Sequence, residues 1–512
     1  MASKPKSVLF LSTSEHGQAN VSLASAQALL QFDFEVKVHY ASFKSLQPAV
    51  EAVCAFAKEM SPHSGHHIEF HEIVGKPLFD ALHIRLAKEG YSSPFDVPPA
   101  RSESARIVHS LVAGMLPWNG PEYVQIFESL REVIERVKPD ITVIDSNFGP
   151  ALAACCHVRA NYIVLTPQTL VETLAGQQTR AEALWKFPFS GSGHNYPVPW
   201  HLIPKNILYF IWLIVAVIFD SHARSVRRYV KATLDVEAYS LMDIFRPRWK
   251  DMRMLVNSRP ETDLPLDVSP HLHLHRLTFC GPIVMDVLSV RHQDPELDMW
   301  LSRGPTVLIC MGTHFEFTEE LAFEMALAMR VILDQGENKG SDPKYQVLWK
   351  MKIPKGDKAF GIDEGSRIYS VLKAEISQDR VRISEWLNAS PQAILKTGHA
   401  ICSVHHGGAS SYNEALCAGV PQVVLPQWLD TYDFSYKAEY HRIGVWGSKH
   451  SAPKWTAMEL GAALSNAIVG DPGVAMKRAA QELADICNTG DSGRVVAAKS
   501  ILAAIKAPLE LK

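Results

Sequence analysis

The sequence lacks a strong charge excess, a CxxC cysteine pair and a recognisable leader. Its formal net charge of −3 gives no electrostatic reason to expect a nucleic-acid partner. Eight cysteines without a CxxC pair favour buried free thiols in a reducing compartment. No long apolar segment separates the opening residues MASKPK from the first predicted strand. We therefore expect no secretory peptide and a cytoplasmic protein.

An apolar run long enough to span a membrane is also lacking. The longest run, Ile207–Phe219, has 13 residues, whereas a spanning helix needs about 20. It is flanked by Lys205 on one side and by Arg224, Arg227 and Arg228 on the other. The favoured interpretation is a buried helix lining the acceptor pocket. The alternative is a segment that docks on the surface of an intracellular membrane.

A length of 512 residues indicates two domains, each of about 200–250 residues. The chain begins as a strand, Ser7–Thr13, a helix, Val21–Leu30, and a second strand, Glu35–Tyr40. A new series of alternating strands and helices begins at Thr306. These alternations predict an α/β fold of two parallel, doubly wound domains that face one another. The first turn has one glycine, Gly17, and so lacks the dinucleotide-binding fingerprint.

The second series contains a predicted anion site. A short apolar strand, AICSV, is broken by His-His-Gly-Gly and followed by a helix predicted over Tyr412–Ala418. Gly407 and Gly408 allow the backbone to approach a ligand, and Ser410 and Ser411 supply hydroxyl donors and an N-cap. The free N–H groups and dipole of a helix N-terminus attract an anion. Together, these features predict a site for a ligand with both negative charge and hydroxyl groups.

The spacing of this region resembles that of the family 1 UDP-glycosyltransferases, which have the GT-B fold, and most closely the fungal members. His406 precedes Glu414 by eight residues, and Glu414 precedes Asp430 by sixteen. This is the family's spacing for the histidine at the diphosphate, the glutamate at the ribose hydroxyls and the acid at the sugar. Trp386 corresponds to the tryptophan that stacks on uracil.

The resemblance implies further donor-binding residues. Gly408, Ser410 and Ser411 match positions that line the phosphates, and Gly312-Thr313 resembles the Gly-Ser turn beside the β-phosphate. Thr166 matches a position near the donor sugar and phosphate. Thr431 stands where a glutamine usually follows the sugar-binding acid, so glucose is only the default donor sugar.

The catalytic base departs from the family pattern. Members carry a histidine directly after the glycine of the first turn, but here Gln18 follows Gly17, and a neutral amide cannot accept a proton. His16 lies in the same loop and could supply the imidazole. Asp145, at the end of strand ITVID, matches the acid that orients that base. Our hypothesis is a His16–Asp145 dyad; the alternative is that His16 is only a loop residue.

No metal or other cofactor is expected. The chain contains no DxD motif, the divalent-metal arrangement of the other major glycosyltransferase fold. The histidines His63, His66, His67 and His71 lack an acid or thiol at ligand spacing, so we interpret them as a solvated loop beside a strand edge.

The resemblance as a whole implies an inverting, metal-independent transferase. It would move a hexose from a UDP-sugar to a hydroxyl of a small lipophilic acceptor, such as a secondary metabolite, phenol, sterol or xenobiotic. Residues 1–280 would hold the acceptor, residues 281–490 the UDP-sugar, and a last helix in 491–512 would pack back on the first domain. A monomer is expected. The alternatives are a sugar-nucleotide epimerase or a non-catalytic protein that binds UDP-sugar.

Overall fold

The computed structural model describes residues 5–32, 36–60, 67–91, 97–241, 243, 252–268, 276–338, 344–356 and 359–506. The described strands are β1 (Ser7–Leu11), β2 (Lys37–Ser42), β3 (Ile68–Glu72), β4 (Ile141–Asp145), β5 (Tyr162–Thr166), β6 (Met254–Val256), β7 (Leu277–Phe279), β8 (Thr306–Cys310), β9 (Gln346–Lys350), β10 (Val381–Ser384), β11 (Ala400–His405), β12 (Gln422–Val424) and β13 (Gly444–Trp446).

The described α-helices are α1 (His16–Phe32), α2 (Gln47–Met60), α3 (Leu78–Lys88), α4 (Ala100–Met115), α5 (Gly120–Val137), α6 (Gly149–His157), α7 (Leu170–Leu174), α8 (Glu182–Trp185), α9 (Ile203–Phe219), α10 (Ser221–Leu234), α11 (Val290–Gln293), α12 (Pro295–Leu301), α13 (Glu319–Asn338), α14 (Arg367–Ser377), α15 (Pro391–Leu395), α16 (Ala409–Cys417), α17 (Thr431–Tyr440), α18 (Ala457–Ile468), α19 (Gly470–Asn488) and α20 (Gly493–Lys506).

The strands form two sheets, and every strand pairing in them is parallel. The first sheet has the order β3-β2-β1-β4-β5-β6-β7 and the second the order β10-β9-β8-β11-β12-β13. Strands β1, β4, β5 and β8 are buried along their whole length because helices cover both faces. The predicted α/β architecture of two doubly wound domains is confirmed. The predicted boundary at residue 280 falls between the two sheets.

The strand order explains where ligands can bind. It reverses between β1 and β4 in the first sheet and between β8 and β11 in the second. Crevices at such switch points, beyond the carboxyl ends of the strands, are the usual ligand sites of doubly wound folds. The loops after β1, β4, β8 and β11 carry most of the predicted site residues. We call the space between these loops the cleft.

Several contacts join the two domains. The Lys437 ammonium of α17 lies 3.2 Å from the Asp263 carboxylate, and both side chains are buried. The Tyr432 hydroxyl donates to the carbonyl oxygen of Val97 over 2.7 Å. Helix α20 returns to the first domain, where Ile501 joins the apolar core that includes β1 and α1.

Two sequence interpretations are wrong in detail. Helix α16 begins at Ala409 rather than Tyr412, and Gly408 is its N-cap, so Ser410 lies within the first turn instead of capping it. Helix α9 is not a buried helix, because only Asn206 and Tyr209 among its residues are buried. The apolar stretch Trp200–Leu234 is long and apolar enough to cross a membrane, and its most apolar window is only 11% buried.

All eight cysteines are free. Their thiols fall on helices, strands or strand ends, as their apolar sequence surroundings predict. Cys155, Cys280, Cys310, Cys402 and Cys487 are buried, and the others are partly buried.

Candidate active site

The turn after β11 is fixed by His405. This imidazole is buried; its Nδ1 accepts a hydrogen bond from the Gly407 N–H over 3.0 Å, and its Nε2 pairs with Gln422 Oε1 over 2.8 Å. Burial lowers the pKa of His405 to about 4, so the ring is neutral. Gly407 has φ +84°, and a Cβ there would lie 2.6 Å from the carbonyl oxygen of Thr431. Only glycine fits this turn.

The next histidine, His406, is held between two glycines. A Cβ atom at Gly312 would lie 2.8 Å from His406 Cε1, and one at Gly408 would lie 2.5 Å from His406 Nε2. The ring of Trp428 lies 5.2 Å from the His406 ring, centroid to centroid. Because the two glycines have no side chains, they leave a slot between them. This slot holds the imidazole at the switch point of the second sheet.

Burial keeps the His406 imidazole neutral. Burial first, and then His405 and His314, lower its pKa to about 3. Its Nδ1 is buried and has no hydrogen-bond partner among the described residues. Buried polar atoms are normally paired, so an unpaired nitrogen in a slot at the cleft indicates a site that a ligand completes.

The N-terminus of α16 lies beside this ring. Its N-cap, Gly408, has no side chain to bond the N–H groups of the first turn, so these donors remain available to an anion. The Ser410 hydroxyl in that turn accepts a hydrogen bond of 3.1 Å from the Asn20 amide on α1. The predicted anion site is therefore built by both domains. Sequence reasoning missed Asn20, because only the domain contact brings it there.

Two carboxyl groups of the predicted donor site have raised pKa values. Burial raises the pKa of Glu414 to about 7, and Lys396 opposes the shift. Burial, assisted by the nearby Glu172 carboxylate, raises the pKa of Asp430 to about 7 as well. Both groups therefore titrate near neutral pH. A hydroxylated ligand that donates hydrogen bonds to their ionised forms would lower both pKa values.

Thr431 and Thr166 use their hydroxyls within their own loops. Thr431 Oγ1 accepts from the N–H groups of Gln427 and Trp428, each over 3.0 Å, and donates to the Trp428 carbonyl. The Thr166 hydroxyl bonds Gln168 Oε1. Both threonines are buried. Each shapes a cleft loop rather than offering a free hydroxyl in this structure.

Trp386 lies at the end of β10 and is 65% exposed. The Lys350 ammonium lies 3.7 Å from the centroid of its indole ring. A cation over one face of an indole fixes the orientation of the ring. The exposed remainder is large enough to stack on a planar base.

In the first domain, Asp145 holds the loop that carries His16. Asp145 Oδ2 accepts from the Thr13 hydroxyl over 2.9 Å and its Oδ1 from the Asn147 N–H over 2.9 Å. Burial raises the pKa of Asp145. His16 is the first residue of α1 and is exposed. Among the described residues, no hydrogen bond or ion pair joins His16 to Asp145. The Asp145 carboxylate is instead bonded to Thr13, just beyond the end of β1.

The loop holds two more polar groups that a ligand could use. The side-chain amide oxygen Oε1 of Gln18 is buried without a hydrogen-bond partner in the described part of the chain, and so is Glu15 Oε2. Glu15 Oε1 accepts from the Phe79 N–H over 2.9 Å, and burial raises the pKa of Glu15. The exposed Gly17 has no atom within 4 Å of a Cβ built on it, so it leaves room beside the loop.

His314 is a cleft residue that the sequence interpretation missed. It follows Gly312 and Thr313 after β8, and its ring meets that of Phe79 edge-on with 5.3 Å between centroids. Burial, and then the nearby Lys352 and His16, lower the pKa of His314. His314 could have been predicted from the sequence, because it lies in the loop at the predicted switch point.

A metal-capable group lies away from the cleft. Within the described ranges, a nitrogen of His39, a carboxylate oxygen of Glu69 and a nitrogen of His71 all lie within 4.8 Å of one another on strands β2 and β3. The solvated-loop interpretation is wrong for His71, which is buried in β3 because α5 covers that face. His63 and His66 lie outside the described residues.

Comparisons with known proteins agree with this geometry. Residues 371–499 match the model of the erythromycin biosynthesis protein CIII-like, C-terminal domain. Glycosyltransferase sdnJ of Sordaria araneosa is 32% identical over 528 aligned positions, which cover 98% of each chain.

Solved structures share the fold over nearly the whole chain. A UDP-glucosyltransferase from Polygonum tinctorium capable of glucosylating indoxyl superposes with a TM-score of 0.62 at 15% identity, covering 99% of this chain and 100% of that one. UGT2 of Phytolacca americana, complexed with UDP-2fluoro-glucose and pterostilbene, gives a TM-score of 0.61 at 14% identity over 98% and 100% of the two chains.

Proposed function

Because this chain belongs to the family 1 UDP-glycosyltransferases, we propose that it transfers a hexose, with inversion and without a metal ion, from a UDP-sugar to a hydroxyl of a small lipophilic acceptor. The enzyme is a UDP-sugar-dependent glycosyltransferase. Glucose is the first donor sugar to test, since the Phytolacca americana structure holds a UDP-glucose derivative.

The observation that carries the donor side of this proposal is the slot around His406. A neutral imidazole with an unpaired nitrogen lies against the uncapped N-terminus of α16. A diphosphate at this point would receive hydrogen bonds from the ring, from backbone N–H groups and from the hydroxyls of Ser410 and Ser411. Thr313, an exposed residue in the loop after β8, would add a hydroxyl to the same crevice. Trp386 would stack on uracil and Glu414 would accept from the ribose hydroxyls.

The same groups support metal independence. As the bond between the sugar and UDP breaks, negative charge develops on the diphosphate. Fixed N–H dipoles at a helix terminus stabilise such charge without reorganising. The sequence also offers no DxD pair to hold a divalent ion beside the diphosphate. We expect the rate to be unchanged in EDTA, and a loss restored by Mg²⁺ or Mn²⁺ would contradict this.

Inversion requires one displacement at the anomeric carbon. The acceptor oxygen attacks from the face opposite UDP and loses its proton, and UDP leaves with the bonding electron pair. His16 is the proposed base because it is an exposed imidazole at the start of α1, near enough to His314 to lower the pKa of that ring. Asp145 would act by holding the His16 loop through Thr13. The buried side-chain amide oxygen of Gln18 would accept a hydrogen bond from the acceptor hydroxyl and orient it.

An apolar cluster next to the donor loop supports the proposal of a lipophilic acceptor. The cluster contains Ile107, Phe189 and Tyr209 of the first domain, and Trp428 and Leu429 of the donor loop pack against it. Trp428 in turn contacts the His406 ring. An apolar acceptor bound along this wall would meet the sugar near Asp430.

The test is a mass-spectrometric assay of the purified enzyme with UDP-glucose and other UDP-sugars against phenols, sterols, fatty alcohols and polyketides. We expect a hexose adduct, and NMR of the product from an α-linked donor should show a β-linkage. Conversion of UDP-sugar without an acceptor would favour an epimerase, and UDP binding without any product would favour a non-catalytic role.

A separate variant tests the proposed base. His16→Ala should lower turnover by about 10²-fold or more with donor affinity unchanged. An unchanged rate would contradict the role of His16 as the base.

A further inference from the structure

Helix α9 carries a continuous apolar face that no other described element covers. Six large side chains on this face are between 45% and 68% exposed: Leu208, Ile211, Ile214, Val215, Ile218 and Phe219. At about 100° per residue these positions fall within roughly 140° of the helix circumference. We call these six side chains the apolar face of α9. Large contiguous apolar patches on a protein surface mark interaction sites.

The opposite side of α9 is fixed to the first domain by buried polar groups. The Asn206 amide accepts from the Phe189 N–H over 2.8 Å and donates to the carbonyl oxygen of Phe187 over 3.0 Å. The Tyr209 hydroxyl donates to the Ala100 carbonyl over 2.9 Å. Exposing these groups to hydrocarbon would leave them unpaired. Helix α9 has 17 residues, and its length of about 25 Å is short of the bilayer core. A helix so attached lies along a surface rather than crossing it.

The segment that contains α9 and α10 has an excess of positive residues, although Arg227 and Lys231 are paired with Asp243 and Asp235. Between Trp200 and Leu234 the sequence has five lysines and arginines and one aspartate, Asp220. Asp220 is neutralised by Arg85 at 3.0 Å, while Arg224 and Arg228 are exposed at the end of the apolar face. This cationic end contrasts with the chain's net charge of −3.

At the other end of α9, Trp200 is 82% exposed. Tryptophan at the edge of an apolar segment is typical of the boundary between lipid and water. An apolar face, a terminal tryptophan and arginines on the next helix are the features of an interfacial helix.

We propose that α9 docks this enzyme on an anionic lipid bilayer, with its axis in the membrane plane. The cluster under α9 that contains Phe189 also packs against Phe210 and Leu213 of α9 and against Trp428 of the donor loop. Docking therefore places an apolar connection between the bilayer and the cleft. An acceptor dissolved in lipid would enter along it; this consequence, unlike the docking, rests on the proposed transferase function.

The docking is tested by co-sedimentation of the full chain with vesicles, without donor or acceptor. One set contains equal parts of phosphatidylcholine and phosphatidylserine, and the other only phosphatidylcholine. We expect binding to the anionic vesicles. Ile211→Glu/Ile218→Glu should weaken it by about 10²-fold, and Arg228→Gln by about fivefold on anionic vesicles only. Met458→Glu, at an 85% exposed site in the second domain, is the matched control and should bind like the parent.

Either of two results would overturn the proposal: no binding by the parent, or equal binding by the α9 double variant. Light scattering could give a third result that contradicts the proposal. A parent dimer that Ile218→Glu converts to a monomer, without vesicle binding, would show that a second copy covers the face.

The delivery step has its own readout. The α9 double variant should keep the parent rate on a water-soluble acceptor and lose rate only on an acceptor supplied in vesicles. An equal rate on the vesicle-supplied acceptor would overturn delivery while leaving docking and transfer intact. No transfer by either protein would refute the transferase proposal alone, since vesicle binding is measured separately.

Discussion

Replacing Gly408 with alanine should disable the donor site by moving one ring. The Gly408 backbone has φ −67° and ψ 145°, a conformation that alanine adopts without strain. Its new Cβ would lie 2.5 Å from His406 Nε2. Ordinary contact is about 3.5 Å, so the imidazole has to move by about 1 Å. A displacement of that size at a reacting group costs about 10²-fold in rate, which corresponds to about 2.7 kcal/mol.

The assay is kcat/KM for the UDP-sugar, measured for Gly408→Ala, His406→Ala and the double variant. The clash requires the ring, so the double variant should be no worse than His406→Ala alone, a coupling of about 2.7 kcal/mol. Gly114→Ala, whose Cβ would meet nothing within 4 Å, is the matched control. A parent-like rate for Gly408→Ala, or losses that simply add, would refute the account of the slot.

Three further outcomes follow from the structure. The folded pKa of about 7 for Glu414 lies above its ordinary value of 4.5, so the ionised form proposed to accept from ribose hydroxyls is lost as pH falls through 7. UDP affinity, measured by calorimetry, should weaken by up to about tenfold per pH unit below that pH, beyond the change caused by protonation of the UDP phosphate itself. Glu414→Gln should bind weakly and keep only the pH dependence that comes from the phosphate. Lys437→Met leaves Asp263 buried without its cation and should lower the free energy of unfolding in urea by about 3–5 kcal/mol; a change below about 1 kcal/mol would show that water reaches the pair. Trp386→Ala should weaken UDP binding by about 1–3 kcal/mol, with Trp386→Phe intermediate, whereas equal affinities would place uracil elsewhere.

Much of the fold could be predicted from the sequence because its signals are local. Buried parallel strands are short apolar runs followed by helices, so the two βα series were recognisable, and the switch-point loops could be placed at strand ends. The order of His406, Glu414 and Asp430 along one stretch fixed the family resemblance. Helix ends were less certain. The N-terminus of α16 was predicted three residues late, since Gly408 caps it without the usual polar side chain.

The protonation states and contacts of the site needed the tertiary structure. Nothing in the neighbourhood of His406 along the chain indicates that Gly312, from a distant strand, completes its slot. The pairing of Asp145 with Thr13 rather than His16, and the contact of Asn20 with Ser410, arise where separate elements meet. Such contacts set desolvation, and desolvation sets the pKa values.

The sequence by itself determined the two-domain α/β architecture, the position of the predicted anion site and the existence of one unusually apolar helix. It could not determine whether other parts of the protein cover that helix. An apolar segment of this length has the same composition whether protein or lipid covers it, and its periodicity is weak when nearly every position is apolar. Only the packing of α9, with Asn206 and Tyr209 turned inward, decided that its apolar face is open. The tertiary structure decides this because burial depends on which neighbouring elements reach a side chain.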